Sequence, residues 1–114
     1  MMRKVIITAS VLALAGWAAG ATAAEPDPGQ QVYQRWCVHC HAAGRGNPGT
    51  ASLQTKYKNE KPAVLLDRTD LTPEFVAFSV RQGVMSMPPF RKTEVTDTEL
   101  AALSKWLASG GGKR

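Results

Sequence analysis

The chain has 114 residues, 44% of them hydrophobic and 20% charged, which is enough for one small domain. Its 14 Lys and Arg against 9 Asp and Glu give a formal charge of +5, which falls to +3 once Arg3 and Lys4 of the leading segment are set aside. The remaining basic residues are scattered rather than gathered in a stripe, so a nucleic-acid partner is excluded.

Residues 1–23 read as a secretory signal. Met1-Met2-Arg3-Lys4 is a basic start, an apolar run follows from Val5 to about Ala19, and Ala21-Thr22-Ala23 supplies an A-x-A cleavage pattern. A run of roughly fifteen apolar residues is shorter than the about twenty a membrane span needs. The expected mature chain, residues 24–114, therefore has no membrane anchor, the alternative being an uncleaved one. A domain this short buries little apolar area unaided and commonly needs disulfides, a metal or another staple.

The mature chain opens with Asp27 as a helix N-cap and Pro28 at the first helical position. A first helix is expected from about Gly29 to Cys37, with Val32, Tyr33 and Trp36 on one apolar face. It leads into Cys37-Val38-His39-Cys40-His41, which contains both cysteines of the chain. C-x-x-C followed at once by His is the spacing of covalent haem attachment. The thiols of Cys37 and Cys40 add across the two vinyl groups of one haem c as thioethers, and the imidazole of His41 is placed to ligate the iron. Export fits, because c-type haem is attached outside the bacterial cytoplasm, and the macrocycle would then be the core.

Ala42 to Thr50 is dense in Gly, Asn and Pro and reads as loop. Ser52-Leu53-Gln54 and Pro62 to Leu66 carry weak signals for short helices. Thr72, Pro73 and Glu74 start a clear one, with Phe75, Val76, Ser79 and Val80 along one side and Gly83 as its stop. Val84 to Lys92 is non-helical, since Pro88 and Pro89 remove donors and restrict the residues before them. Thr96 and Glu99 form a capping box for the last helix, along which Leu100, Leu103 and Leu107 recur on one face. Gly110-Gly111-Gly112 ends it and leaves Lys113-Arg114 as a disordered tail. No strand and no repeat is expected.

Other chemistries of the cysteine pair fit less well. A thiol–disulfide site normally opens a helix in a thioredoxin-like α/β domain, whereas this pair follows a helix and no βαβ pattern is present. A zinc site wants a second ligand pair. The second axial ligand falls to Met85 or Met87, the methionines beyond the signal segment. Met87 is preferred because Pro88 and Pro89 fix the backbone behind it, while Met85 packs as ordinary core. Thioether sulfur favours ferrous iron, so His41/Met87 ligation raises the reduction potential. His39 reads as a surface residue. The carbonyl of Pro48 is either an acceptor for the Nδ1–H of His41 or merely part of a turn. Arg45, Lys56, Tyr57, Arg68 and Arg81 are the candidates for the propionates.

Gly29-x-x-x-Tyr33 ahead of Cys37–His41, Gly83-x-x-x-Met87-Pro88, and Leu103-x-x-Trp106 together resemble the small class I cytochromes c. Across residues 27–108 the resemblance implies an all-α single-haem cytochrome c fold, its helices wrapped around the covalently bound haem. The first and last helices would cross at Gly29, Tyr33, Leu103 and Trp106. A narrower likeness runs from Thr72 to Gly83 and from Met87 to Glu94, which is similar to the cytochrome subunit of p-cresol methylhydroxylase (4-cresol dehydrogenase). It implies a periplasmic flavoprotein dehydrogenase that oxidises a 4-alkylphenol and passes its electrons on singly, docking at the Met87–Arg91 loop. A second cytochrome or a cupredoxin would accept them downstream. The alternatives are a generic soluble electron carrier and a five-coordinate haem enzyme or gas sensor.

Overall fold

The computed structural model describes residues 20–113. The predicted signal lies outside the described residues up to residue 19; Gly20 to Ala23 are exposed and without regular secondary structure. The described residues form α1 (Pro28–Val32), a π-helical turn (Tyr33–Cys37), α2 (Val38–His41), α3 (Pro48–Tyr57), a short 3-10 turn (Leu65–Asp67), α4 (Pro73–Gln82) and α5 (Asp97–Ala108). Among them there is no strand, only an isolated bridge between Val84 and Met87. The fold is all-α, as expected. No helix among the described residues is long and apolar enough to cross a membrane.

The capped helix starts form as read. Asp27 Oδ1 accepts the Gly29 N–H at 2.7 Å. Thr72 Oγ1 accepts from Phe75 at 3.2 Å, and Thr96 and Glu99 close the reciprocal box at 3.2 and 2.9 Å. These bonds satisfy donors that a helix start leaves orphaned.

Other expectations need correction. The first helix does not stop near Cys37: helical backbone continues through the π turn to His41, so the cysteine motif lies inside a helix. The expected loop from Ala42 ends early, because Pro48 takes the first position of α3 and Ser52 to Gln54 fall in its middle. Pro62 to Leu66 forms no α-helix, only the 3-10 turn beginning at Leu65. Phe75, Val76, Ser79 and Val80 do share one side of α4, since all four line one cavity. Val76 and Val80, one turn apart, are also buried in the core, while Phe75 is 51% exposed. Lys113 is not loose either, since its ammonium pairs with Asp67; Arg114 lies outside the described residues.

The core joins α1, α4 and α5 through Val32, Tyr33, Val76, Val80, Leu100, Leu103, Trp106 and Leu107. Its tightest contact is the crossing of α1 over α5. A Cβ on Gly29 would lie 2.4 Å from both the Ala102 carbonyl oxygen and Trp106 Cβ. Tyr33, 1% exposed, stacks obliquely on Trp106 with centroids 5.4 Å apart. The obstructing atoms at Gly29 belong to backbone and to a Cβ, which cannot rotate away. Gly29→Ala should therefore cost about 2 kcal/mol, lowering the thermal midpoint by on the order of 10 °C for a domain of this size. Circular dichroism melting checks it; an unchanged midpoint would mean that the helices do not meet at Gly29.

Candidate cofactor site

Helical backbone through Cys37–His41 gives the motif its geometry. Cys37, Cys40 and His41 stand at i, i+3 and i+4, the spacing of one helix face. The π turn, closed by the Val38 N–H onto the Tyr33 carbonyl, shifts this face relative to the Val32–Tyr33 face packed on α5. Single π turns of this kind occur often at functional sites. Two hydroxyls fix the end of the motif: Tyr33 donates to the His41 carbonyl at 3.3 Å, and Thr50 donates to the Ala42 carbonyl at 2.8 Å. His39 points away and is exposed, as read from the sequence.

The first turn of α3 closes against the imidazole. A Cβ on Gly49 would stand 2.9 Å from His41 Cε1, 3.1 Å from its Nδ1 and 2.7 Å from the Cys40 carbonyl oxygen. Only a residue without a side chain lets the helix approach this closely. No bond joins Nδ1 to the Pro48 carbonyl, Pro48 being instead the first residue of α3. His41 Nδ1 is buried with no hydrogen-bond partner among the described residues. Burial also pushes the imidazole pKa down, which favours the neutral ligating form.

The opposite wall is the segment after α4. Gly83 ends the helix at φ 72°, ψ 163°, a region populated almost solely by glycine, and a Cβ there would lie 2.6 Å from the Met87 carbonyl oxygen. Val84 and Met87 then bond each other reciprocally, N–H to carbonyl, at 3.1 and 2.9 Å. The tip of this tight turn is Met85, at φ 53° and 92% exposed. Met85 nonetheless lines the cavity between the walls. Met87 is partly buried against the core cluster.

Between these walls lies a cavity of about 650 Å³, lined by Trp36, Cys37, Cys40, His41, Leu53 and Met87 among others. That is the volume range of cofactor pockets. A second cavity of about 120 Å³ shares Cys37, His41, Leu53, Lys56 and Met87 with the first, so the two adjoin. Two thiols, an imidazole and a thioether line one apolar slot, a donor set that fits haem c. The Cys37 thiol is pushed up to about 12, by burial first and Cys40 second. A dithiol redox centre works through a depressed, thiolate-forming cysteine, so this environment does not suit one.

Of the propionate candidates, Lys56, Tyr57 and Arg68 line the cavities. Arg68 is the most enclosed cation: its side chain is 5% exposed, and it pairs with Asp70 through Nε at 2.6 Å and a second nitrogen at 2.8 Å. It also donates to the Tyr57 hydroxyl at 3.0 Å and lies over that ring at 4.9 Å. Arg45 lines neither cavity, and Arg81 is turned to the Phe90 carbonyl and Asp97. The hydrogen bonds from Arg68 and then Lys61 hold the Asp70 carboxyl well below the usual carboxylate range. A depressed folded-state value means that the pair stabilises fully above the unfolded carboxyl pKa near 3.9 and fades as pH falls through the folded value. Asp70 is 43% exposed, so solvent screening limits the pair to about 1 kcal/mol. Asp70→Asn should lose that amount near pH 6 in urea denaturation, and the gap should close in strong acid. A gap independent of pH would mean that the carboxylate charge is not what matters.

A family model described as cytochrome C oxidase, cbb3-type, subunit III matches residues 24–107. No curated protein and no solved structure matches the chain. The family match covers every described helix, almost to the end of α5, and both walls of the cavity. The chain belongs to this family of c-type cytochromes and is a small all-α electron carrier of the class I kind.

Proposed function

We propose that the chain is exported to the periplasm and there carries single electrons on one covalently bound haem c. Cys37 and Cys40 would hold it through thioethers, and His41 and Met87 would ligate its iron. The observation that carries this reading is that those residues, from the π turn, α2 and the segment after α4, line one apolar cavity. When bound, haem c would supply a one-electron iron couple whose potential a histidine–methionine pair raises. The chain's own part is to hold both ligands, to exclude water with Trp36, Leu53 and Phe90, and to set Lys56, Tyr57 and Arg68 toward the propionates. No acid or base is needed for such a step.

For its partner we propose a flavoprotein that oxidises 4-alkylphenols, this chain serving as the cytochrome subunit that takes the flavin's electrons singly. The likeness of Thr72–Gly83 and Met87–Glu94 to such subunits supports this, and exposed Val84 and Met85 at the cavity rim offer a docking surface. A second cytochrome or a cupredoxin would then receive the electron.

Holoprotein expressed with a haem-attachment system should be red and keep its haem through acid–acetone extraction. Met87→Ala should lose the weak red absorption band of an iron–sulfur bond, and Met85→Ala should keep it. The reverse pattern would reassign the ligand. The partner reading is checked by mixing the ferric protein with its flavoprotein and a 4-alkylphenol. Reduction faster than by unrelated flavoproteins is expected; equal rates with all donors would leave a general carrier.

A further inference from the structure

The loop carrying Met87 is closed by an arginine with no place in the haem chemistry itself. We infer that Arg81 is a positioning residue that holds this loop shut and so controls how readily the Met87 sulfur leaves the iron. The inference rests on the reading of Met87 as an axial ligand.

The loop leaves α4 at Gly83 and comes back to it at Phe90. Both backbone groups of Phe90 are bound to the last turn of α4. Its N–H donates to the Val80 carbonyl at 2.8 Å, and its carbonyl accepts from Arg81 at 3.1 Å. A second Arg81 nitrogen reaches Asp97 Oδ1 at 2.8 Å, at the start of α5, and Lys92 meets Asp97 Oδ2 at 3.0 Å. One guanidinium thus spans the end of α4, the returning stem of the loop and the start of α5. Its side chain is only 19% exposed.

Few other bonds hold this stem. Pro88 and Pro89, between Met87 and Phe90, have no N–H to donate. The reciprocal Val84–Met87 bonds shape the tip of the loop but do not attach it to a helix. Without Arg81, the Phe90 carbonyl loses its partner, and Phe90 is held to α4 by the single Phe90–Val80 bond beside its edge contact with Trp36. Opening of such a loop is a local event, and its free energy falls with each tie removed. Arg81 is two turns from the Thr72 cap and faces the loop rather than the α1–α5 crossing, so loop opening and global unfolding should separate.

The test is imidazole binding to the ferric holoprotein, followed by stopped-flow absorbance, because imidazole enters only when the thioether leaves. Arg81→Leu should bind imidazole about fivefold faster, the ratio expected from one net hydrogen bond. Arg81→Lys, which can reach one acceptor but not both, should fall between; it also serves if the leucine variant fails to load haem. Asp27→Ala provides the comparison, since it removes the cap of α1 and so lowers global stability without touching the loop or either cavity, and should leave the imidazole rate unchanged. Wild-type rates in both Arg81 variants would overturn the inference. So would an equal acceleration in Asp27→Ala at the same loss of melting temperature. A wild-type ferric protein without the red iron–sulfur band would instead refute the ligand reading, whatever Arg81 does.

Discussion

The contact on which the rest of the fold depends is the close approach of α1 to α5 at Gly29. There the chain has no side chain, and the Ala102 carbonyl and Trp106 Cβ take up the space. Helical backbone then runs without interruption from Pro28 to His41. Fixing one end of that run on α5 consequently fixes the direction of the other, which bears both thiols and the imidazole. Tyr33 reinforces the link, since its ring packs on Trp106 while its hydroxyl binds the His41 carbonyl. A packing constraint at one end of the helix thereby becomes a placing constraint at the cofactor end.

The remaining apolar residues have two tasks. Leu100, Leu103, Leu107, Val76 and Val80 pair α4 with α5, and all of them but Leu100 also line the smaller cavity. Trp36, Leu53, Met87 and Phe90 surround the larger one. In so short a chain, apolar surface around a slot is stabilising only when something apolar fills it. The natural filling is the macrocycle of the family's cofactor, which places folding and haem attachment in the same free-energy balance.

Features governed by near neighbours were legible in the sequence. Asp27, Thr72 and Thr96 cap their helices because a cap is decided within about three residues. The C-x-x-C-H spacing and the Met87-Pro88-Pro89 run were legible for the same reason. The π turn was not, because an i to i−5 bond leaves no mark in composition. The role of Pro48 as a helix start had no such signal, since a proline among glycines serves a loop or a helix start equally well. That Cys37, Cys40 and His41 share a helix face was available from their i, i+3, i+4 spacing once the helix was extended through them. The ties of Arg81 span 9 and 16 residues and have no local signal.

The two walls of the site are built differently, and the difference bears on electron transfer. The histidine wall is regular helix, locked by hydroxyls from Tyr33 and Thr50 and pressed by Gly49. The methionine wall is irregular backbone containing two unusual residues, Gly83 in its glycine-only region and Met85 at positive φ. A non-glycine residue held so costs about 1–3 kcal/mol, and it persists only where the surroundings over-determine it. Here the surroundings are the return bond from Phe90 to Val80 and the bridge through Arg81 to Asp97. A carrier benefits when neither wall moves between oxidation states, because any movement must be driven with each electron. The histidine wall meets that condition through regular structure. The methionine wall meets it only through contacts between distant parts of the chain, so its rigidity rests on a few side chains.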